Sequence, residues 1–278
     1  MRFQIVLAVA TAAAMQAQTP AAPPAAKDPI SDNSFLIEEA YNQEPGVVQH
    51  ISGFARTFNA KGWAYSFTQE WPVPGRRHQL SYTVPLMQIG SPTTTGIGDL
   101  MVNYRLQAVY DESRGIAFSP RLSVSLPTGD ATKGFGAGGT GWQVNLPVSK
   151  TLGASFVSHT NAGGTWFGDT KPFFGDHASL RAVNLGQSFV WLATPRFNVM
   201  LESIWTRTTT RLNGHDYPAE TAFISPGIRW GYDFKSGLQV VPGIAFPMGV
   251  GQSNGMHQVY LYLSFEHPFT AAARAAAR

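Results

Sequence analysis

The stretch IGDLMVNYRLQAVYDESRGIAFSPRLSVSL (97–126) decides the fold. Apolar residues occupy every second position from Leu100 to Ala108, and most of the residues between them are polar. After DESRG (111–115), the same alternation runs from Ile116 to Leu126. An alternation of period two predicts extended strands with one apolar and one polar face.

Nine of twelve runs along the chain show this alternation, and the first, seventh and eighth do not sort clearly. Spanning strands need about 9 to 11 residues, whereas strands of soluble proteins average about 5 or 6. Run length therefore favours a membrane barrel over a soluble sandwich, which would also alternate. We count twelve runs, at approximately 47–58, 62–72, 76–88, 97–110, 115–127, 140–150, 153–166, 179–193, 196–208, 220–233, 237–247 and 256–267.

The connections between the runs alternate in length. DESRG, KTLG, ATPR and FKSG are short, whereas LPTGDATKGFGAGGT, FGDTKPFFGDHA, RLNGHDYPAE and PMGVGQSNG are long. Short periplasmic turns and long outer loops are typical of up-and-down membrane barrels, and aromatic residues near both ends of the runs fit interfacial belts. An open sheet edge in lipid would leave backbone groups unsatisfied. We therefore predict an all-β fold, a single antiparallel up-and-down transmembrane β-barrel of about 12 strands.

Proline within the runs argues against a closed barrel, because a barrel has no edge strand where a missing N–H is harmless. We expect these prolines at bulges or near the rims of the barrel. They are Pro85, Pro120, Pro147, Pro226 and Pro242.

Composition excludes several functional classes. Charged residues make up 13% of the chain, about half the usual quarter, and a net charge of +3 is too small and scattered to suggest nucleic acid. The absence of cysteine excludes disulfides, a thiol nucleophile and thiolate metal sites. No HxH or HExxH spacing occurs, so neither a metal nor another cofactor is expected.

The termini predict export. Arg2 precedes an apolar stretch too short to span a bilayer, which indicates a signal peptide over residues 1–17 and delivery to the outer membrane. Residues 18–46 form a leader rich in proline and alanine, with a possible short helix from Ser34, its N-cap, to Gln43. That segment could plug the lumen, lie at the periplasmic mouth or fray. The barrel takes residues 47–269, and residues 270–278 form a tail.

Several segments resemble the outer-membrane family named after the MetA (meta-cleavage) pathway of phenol degradation. They are SFLIEEAYNQEPGVVQH (34–50), TGIGDLMVNYRLQ (95–107), PRLSVSLPTGD (120–130), GWQVNLPVSKTLG (141–153) and HTNAGGTW (159–166). The resemblance implies a barrel with a role in uptake of aromatic compounds. It implies no particular substrate and no binding residue.

Charged residues on the polar faces are predicted to point into the lumen, because Lys or Arg facing lipid costs about 2–4 kcal/mol at mid-membrane. They could form a series of charges that selects a solute, or they could pair as Arg and Glu across the lumen and make the wall rigid. Tyr260 and Tyr262 could likewise line a track for aromatic ligands or simply fill the space. The charged candidates are Glu70, Arg105, Arg121, Glu202 and Arg229.

An enzymatic alternative rests on GDHASLR (175–181). His177 and Ser179 resemble part of the His-x-Ser-Asn-Gly signature of outer-membrane phospholipase A, but Leu180 and Arg181 stand where Asn-Gly is required. The sequence therefore favours passive passage of a small hydrophobic or aromatic solute, with the lipid bilayer, the solute and the barrel-assembly machinery as partners. A closed barrel with a structural or binding role is the first alternative, and a lipid hydrolase is the second.

Overall fold

In the computed structural model, which describes residues 33–58, 62–73, 75–171 and 178–270, the chain forms a closed barrel of twelve antiparallel strands. Each strand pairs with the next, and the last pairs with the first from Val47–Pro268 to Thr57–Gln258. The predicted fold and strand count are confirmed. The strands are β1 (Val47–Thr57), β2 (Trp63–Pro72), β3 (His78–Ile89), β4 (Thr94–Ile97, Leu100–Leu106 and Val109–Asp111), β5 (Ile116–Phe118 and Arg121–Leu126), β6 (Gly141–Thr151), β7 (Phe156–Thr170), β8 (Ala178–Thr194), β9 (Phe197–Leu212), β10 (His215–Trp230 and Tyr232–Asp233), β11 (Gln239–Ala245 and Met248–Gly249) and β12 (Gln258–Pro268).

The barrel wall has its apolar side outside and its polar side inside. On β4, Val102 and Tyr104 are exposed, whereas Asn103 and Arg105, which alternate with them, are buried. On β8, Leu185 is exposed on the outer face, whereas Ser188 is buried on the inner face. This is the reverse of a soluble protein, and it suits a wall that faces lipid. Among the described residues, no helix is long and apolar enough to cross a membrane.

Each of the five prolines singled out in the sequence lies next to an irregularity in the strand pairing. Pro120 separates the two parts of β5, and Pro147 of β6 accepts a hydrogen bond from Ser119 at that gap, at 3.2 Å. Pro85 accepts from Gly98 at the gap in β4, and Pro226 from Phe246 at the gap in β11. Pro242 lies opposite the break in β10 after Trp230. Because the ladder is already interrupted at these places, the missing N–H groups cost little.

Two of the outer connections are shorter than the sequence suggested. The stretch RLNGHDYPAE is not a long loop: β9 continues to Leu212 and β10 starts at His215, so only Asn213 and Gly214 form the turn. Their φ angles of 51° and 80° are those that a two-residue hairpin requires, and Asn-Gly favours them. Likewise, β7 and β8 shorten FGDTKPFFGDHA to residues 171–177. This side of the barrel is therefore built from strands of 15 to 17 residues.

The connection between β5 and β6 (residues 127–140) folds over the outer mouth of the barrel. Phe135 is buried, and the Asp99 carboxylate accepts hydrogen bonds from the backbone of Gly129 at 3.0 Å and Ala137 at 2.7 Å. Ala137 packs against residues of β7 and β8. A single helical turn in this connection is capped by exposed Asp130, whose pKa is lowered to about 2 by hydrogen bonds from the Thr132 and Lys133 side chains.

The segment before β1 differs most from the prediction. Residues Ser34–Gln43 form neither helix nor strand, but an irregular backbone with bends at Phe35–Ile37 and at Ala40. Residues Asn33–Gln43, named here the lumenal segment, lie buried inside the barrel. The signal peptide, the leader up to residue 32 and residues 271–278 of the tail lie outside the described residues.

Candidate functional site

The lumenal segment is buried along its whole length although it is rich in polar residues. Each residue from Asn33 to Gln43 is at most 9% exposed. Buried polar groups are costly without hydrogen-bond partners, so the wall must supply those partners. The contacts described below identify the side chains that do so.

Glu202 of β9 binds the backbone at the start of the segment. One of its carboxylate oxygens accepts hydrogen bonds from the N–H groups of Phe35, Leu36 and Ile37, at 3.0, 2.8 and 3.1 Å. Hydrogen bonds to a carboxylate are about twice as strong as neutral ones. Ser34 adds a hydroxyl contact of 2.5 Å to Ser188 of β8. A single wall carboxylate thus fixes three consecutive residues.

Arg121 of β5 and Asn161 of β7 bind the middle of the segment at Glu38. The Arg121 guanidinium lies 2.7 Å from the Glu38 carboxylate, and both side chains are almost completely buried. Asn161 accepts from the Glu38 N–H at 2.8 Å and donates to the Glu38 carbonyl at 2.7 Å. Gln143 of β6 accepts a hydrogen bond from Arg121 at 2.7 Å. Glu38 is therefore held through its side chain and through both of its backbone groups.

Arg105 of β4 binds the end of the segment. Its guanidinium donates to the Asn42 side chain at 2.7 Å, to the Glu39 carbonyl at 3.2 Å and to the Tyr41 carbonyl. Next to it, the Ala40 N–H donates to Ser149 at 2.7 Å. The wall thus satisfies backbone groups that a helix would otherwise satisfy internally.

The apolar side chains of the segment fit sockets in the wall. The Phe35 ring lies 5.7 Å from the ring of Tyr260 and 5.1 Å from that of Tyr262, measured between centroids. Glycine makes the room: a Cβ built on Gly243 would lie 2.5 Å from Phe35, and one on Gly186 would lie 2.2 Å from Ile37. Real Cβ atoms do not approach other atoms so closely, so the wall is shaped to receive these two side chains.

Little space remains beside the lumenal segment. The space described next to Leu36, Ile37 and Glu38 has room for about one water molecule. Polar side chains of the wall surround it, contributed by Arg121, Gln143, Asn145, Asn161 and Asn184. The segment thus occupies the lumen and contacts the wall on several strands.

Comparison with solved structures shows the same fold. The COG4313 outer membrane channel from Pseudomonas putida F1 superposes with a TM-score of 0.62 at 15% identity, over 82% of this chain and 97% of that chain. The NanC porin superposes with a TM-score of 0.52 at 7% identity, over 79% of this chain and 98% of that one. The chain therefore has the fold of these outer-membrane β-barrels. No family model and no curated protein matches the chain, so the phenol-degradation family remains a resemblance.

The structure places all seven candidate residues on the inner face of the wall. Five of them, namely Arg105, Arg121, Glu202, Tyr260 and Tyr262, contact the lumenal segment directly. Glu70 accepts a hydrogen bond at 2.9 Å from Gln79, which in turn binds the backbone of Gln43. Arg229 is buried beside Gly243. From the sequence, the charged residues could either select a solute or pair with one another across the lumen. In the structure, their described contacts are mainly with the lumenal segment.

Sequence reasoning missed Glu38, Asn161 and the socket glycines. Glu38 lies before the first strand, where the sequence favours a short helix, and the glycines resemble ordinary strand residues. On the inner face of β8, Gly186 stands between Asn184 and Ser188, and such a gap among polar side chains is a signal that could have found it. Gly243 stands between Val241 and Ala245 on β11 and gives no such signal.

The enzymatic alternative gains no support from the described residues. Ser179 precedes Arg181 and Val183 on the outward face of β8, and His177 lies outside the described residues. In the described part of the chain, no group of three or more His, Asp or Glu side chains could hold a metal ion.

Proposed function

We propose that the protein is a passive outer-membrane channel for small aromatic or hydrophobic solutes, closed by its own lumenal segment. The observation that carries this proposal is the way in which the segment is held. All of its described contacts with the wall are noncovalent, and most are hydrogen bonds that water or a solute could replace. Such a segment can leave the lumen without breaking the strand ladder.

The aromatic preference rests on the socket of Phe35. Tyr260 and Tyr262 present two ring faces to the lumen, and Gly227 and Gly243 leave an open space between them for a planar group. Aromatic pairs at such distances add about 0.5–1.5 kcal/mol beyond burial. When Phe35 leaves, the socket is suited to bind the ring of a solute.

The test is solute entry into liposomes that carry the refolded protein. Catechol and cyclohexane-1,2-diol have the same hydroxyl groups and similar size, but only catechol is aromatic. We expect saturable entry with catechol favoured, and loss of the preference in Tyr262→Leu. Tyr232→Leu, which changes an exposed tyrosine at the end of β10, serves as the matched control.

A closed barrel with a structural or binding role is the second candidate, and the filled lumen favours it. If a correctly folded barrel admits neither diol, with or without weakened segment contacts, the channel proposal fails. Folding is checked independently by heat-modifiable mobility on gels.

A further inference from the structure

Two arginines face each other on adjacent strands inside the barrel. Arg105 of β4 and Arg121 of β5 are direct partners in the strand register, and both side chains are almost completely buried. Like charges directly opposite each other destabilise a sheet, and buried charges need counter-charges. This pair therefore requires anions in the lumen.

The lumenal segment supplies these anions. The Glu38 carboxylate forms the ion pair with Arg121, and the carboxylates of Glu70, Glu39 and Glu38 act electrostatically on Arg105. Of these, only Glu70 belongs to the wall. When the segment leaves, two of the three negative charges leave with it, and Arg121 loses its ion-pair partner.

The surroundings of Arg121 are those of a carboxylate site. The Asn161 amide and the Asn145 amide meet at 3.2 Å, and Gln143 bonds Arg121. The second oxygen of the Glu38 carboxylate is buried without a hydrogen bond among the described residues, beside the water-sized space lined by these amides. A guanidinium with several amides and an adjoining space can bind any small organic carboxylate.

We propose that the Glu38 carboxylate occupies the position that a solute carboxylate takes in the open channel, and that the channel selects small organic monocarboxylates at Arg121. This inference rests on the proposed channel function and adds, at Arg121, a second site of the lumen that selects the solute by its charge. A carboxylate that reaches Arg121 replaces the Glu38 carboxylate there, and thereby favours departure of the segment. Solute binding and opening are then linked, because both compete for one guanidinium.

The first experiment uses the unmodified full chain in liposomes or nanodiscs. Hydrogen exchange of residues 33–43 is followed while benzoate or benzamide is added; these probes share a ring and differ in charge. We expect benzoate to accelerate exchange in the segment and benzamide to leave it unchanged. Equal effects of both compounds, or no effect of either, would overturn the competition.

The second experiment measures entry of the same two compounds through variants of the full chain. In Glu38→Gln, the ratio of benzoate entry to benzamide entry should rise roughly tenfold. This is the factor that separates a charge-assisted hydrogen bond from a neutral one. Adding Arg121→Gln should abolish that excess, whereas adding Arg181→Gln, on the exposed outer face of β8, should not.

The outcomes separate the two proposals. Equal entry of benzoate and benzamide, or preference for benzamide, would overturn the carboxylate site but leave the channel. Entry of neither compound through any folded variant would overturn the channel and the carboxylate site together.

Discussion

Exchanging Glu202 for glutamine should loosen the lumenal segment while leaving the barrel intact. The substitution keeps the size of the side chain and one acceptor oxygen, but removes the charge that three backbone N–H groups share. A hydrogen bond to a charged group contributes about 1.5–3 kcal/mol and a neutral one about 0.5–1.5 kcal/mol. Because the three N–H groups share one carboxylate oxygen, we count the difference for one hydrogen bond, about 1.4 kcal/mol, which is about tenfold in the docking equilibrium of the segment.

Hydrogen–deuterium exchange read by mass spectrometry measures this change directly. Peptides that cover residues 33–43 should exchange about tenfold faster in Glu202→Gln, while peptides from β7 to β9 keep their rates. The control is Glu220→Gln, which removes a carboxylate from the outer face of β10 that only weakly pairs with Arg207, at 3.4 Å. Unchanged exchange in the segment, or equal acceleration across the strands, would refute the assigned role of Glu202.

Three further predictions concern the socket and the outer loop. Gly243→Ala places a Cβ against Phe35 and should destabilise docking of the segment by about 1–3 kcal/mol. The control is Gly168→Ala, whose Cβ meets no atom within 4 Å and should leave the segment in place. Conductance in planar bilayers compares the two variants. Phe35→Ala should cost docking about 3–5 kcal/mol and raise catechol entry; unchanged entry in liposome assays would contradict the socket. The folded pKa of Asp130 is lowered to about 2, so its contribution to loop order is present above about pH 3.8 and is lost as the pH falls toward 2. Hydrogen exchange in residues 127–140 should therefore rise as the pH is lowered through this range. The Asp130→Asn variant should show no such rise.

The wall was predictable because lipid imposes a strict rule on every spanning residue. On β4, the alternation of Val102 and Tyr104 with Asn103 and Arg105 has only one arrangement that avoids placing charge in lipid. The rule weakens beyond the membrane. The stretch TRTTTRL at the end of β9 is polar on both faces, so it resembled a loop although it continues the strand.

The lumenal segment was not predictable from its own residues. Within itself, SFLIEEAYNQ can satisfy its backbone only by forming a helix, for which Ser34 is a suitable cap; otherwise its backbone groups would bind water. Inside the barrel, Glu202, Asn161 and Ser149 satisfy that backbone instead. These partners lie more than one hundred residues away in sequence, so local propensity is overridden by contacts that only the closed barrel creates.

The same limit applies to the candidate site. Alternation was sufficient to place Arg121 and Tyr262 on the inner face, because the position of a side chain follows from its strand. What each of them contacts depends on the chain that fills the lumen, and that could not be read from the strand pattern.

The central claim is that movement of the lumenal segment opens the barrel. The protein has no cysteine, and the hydroxyl oxygens of Ser34 and Ser188 lie 2.5 Å apart, so the double variant Ser34→Cys, Ser188→Cys can lock the segment to β8. Current through single barrels in planar bilayers is recorded with oxidant and then with reductant, with Ser188→Cys alone as the control. We expect the oxidised double variant to be silent and reduction to restore the current of the control. Equal currents in both redox states, or no current from any of the folded proteins, would contradict it.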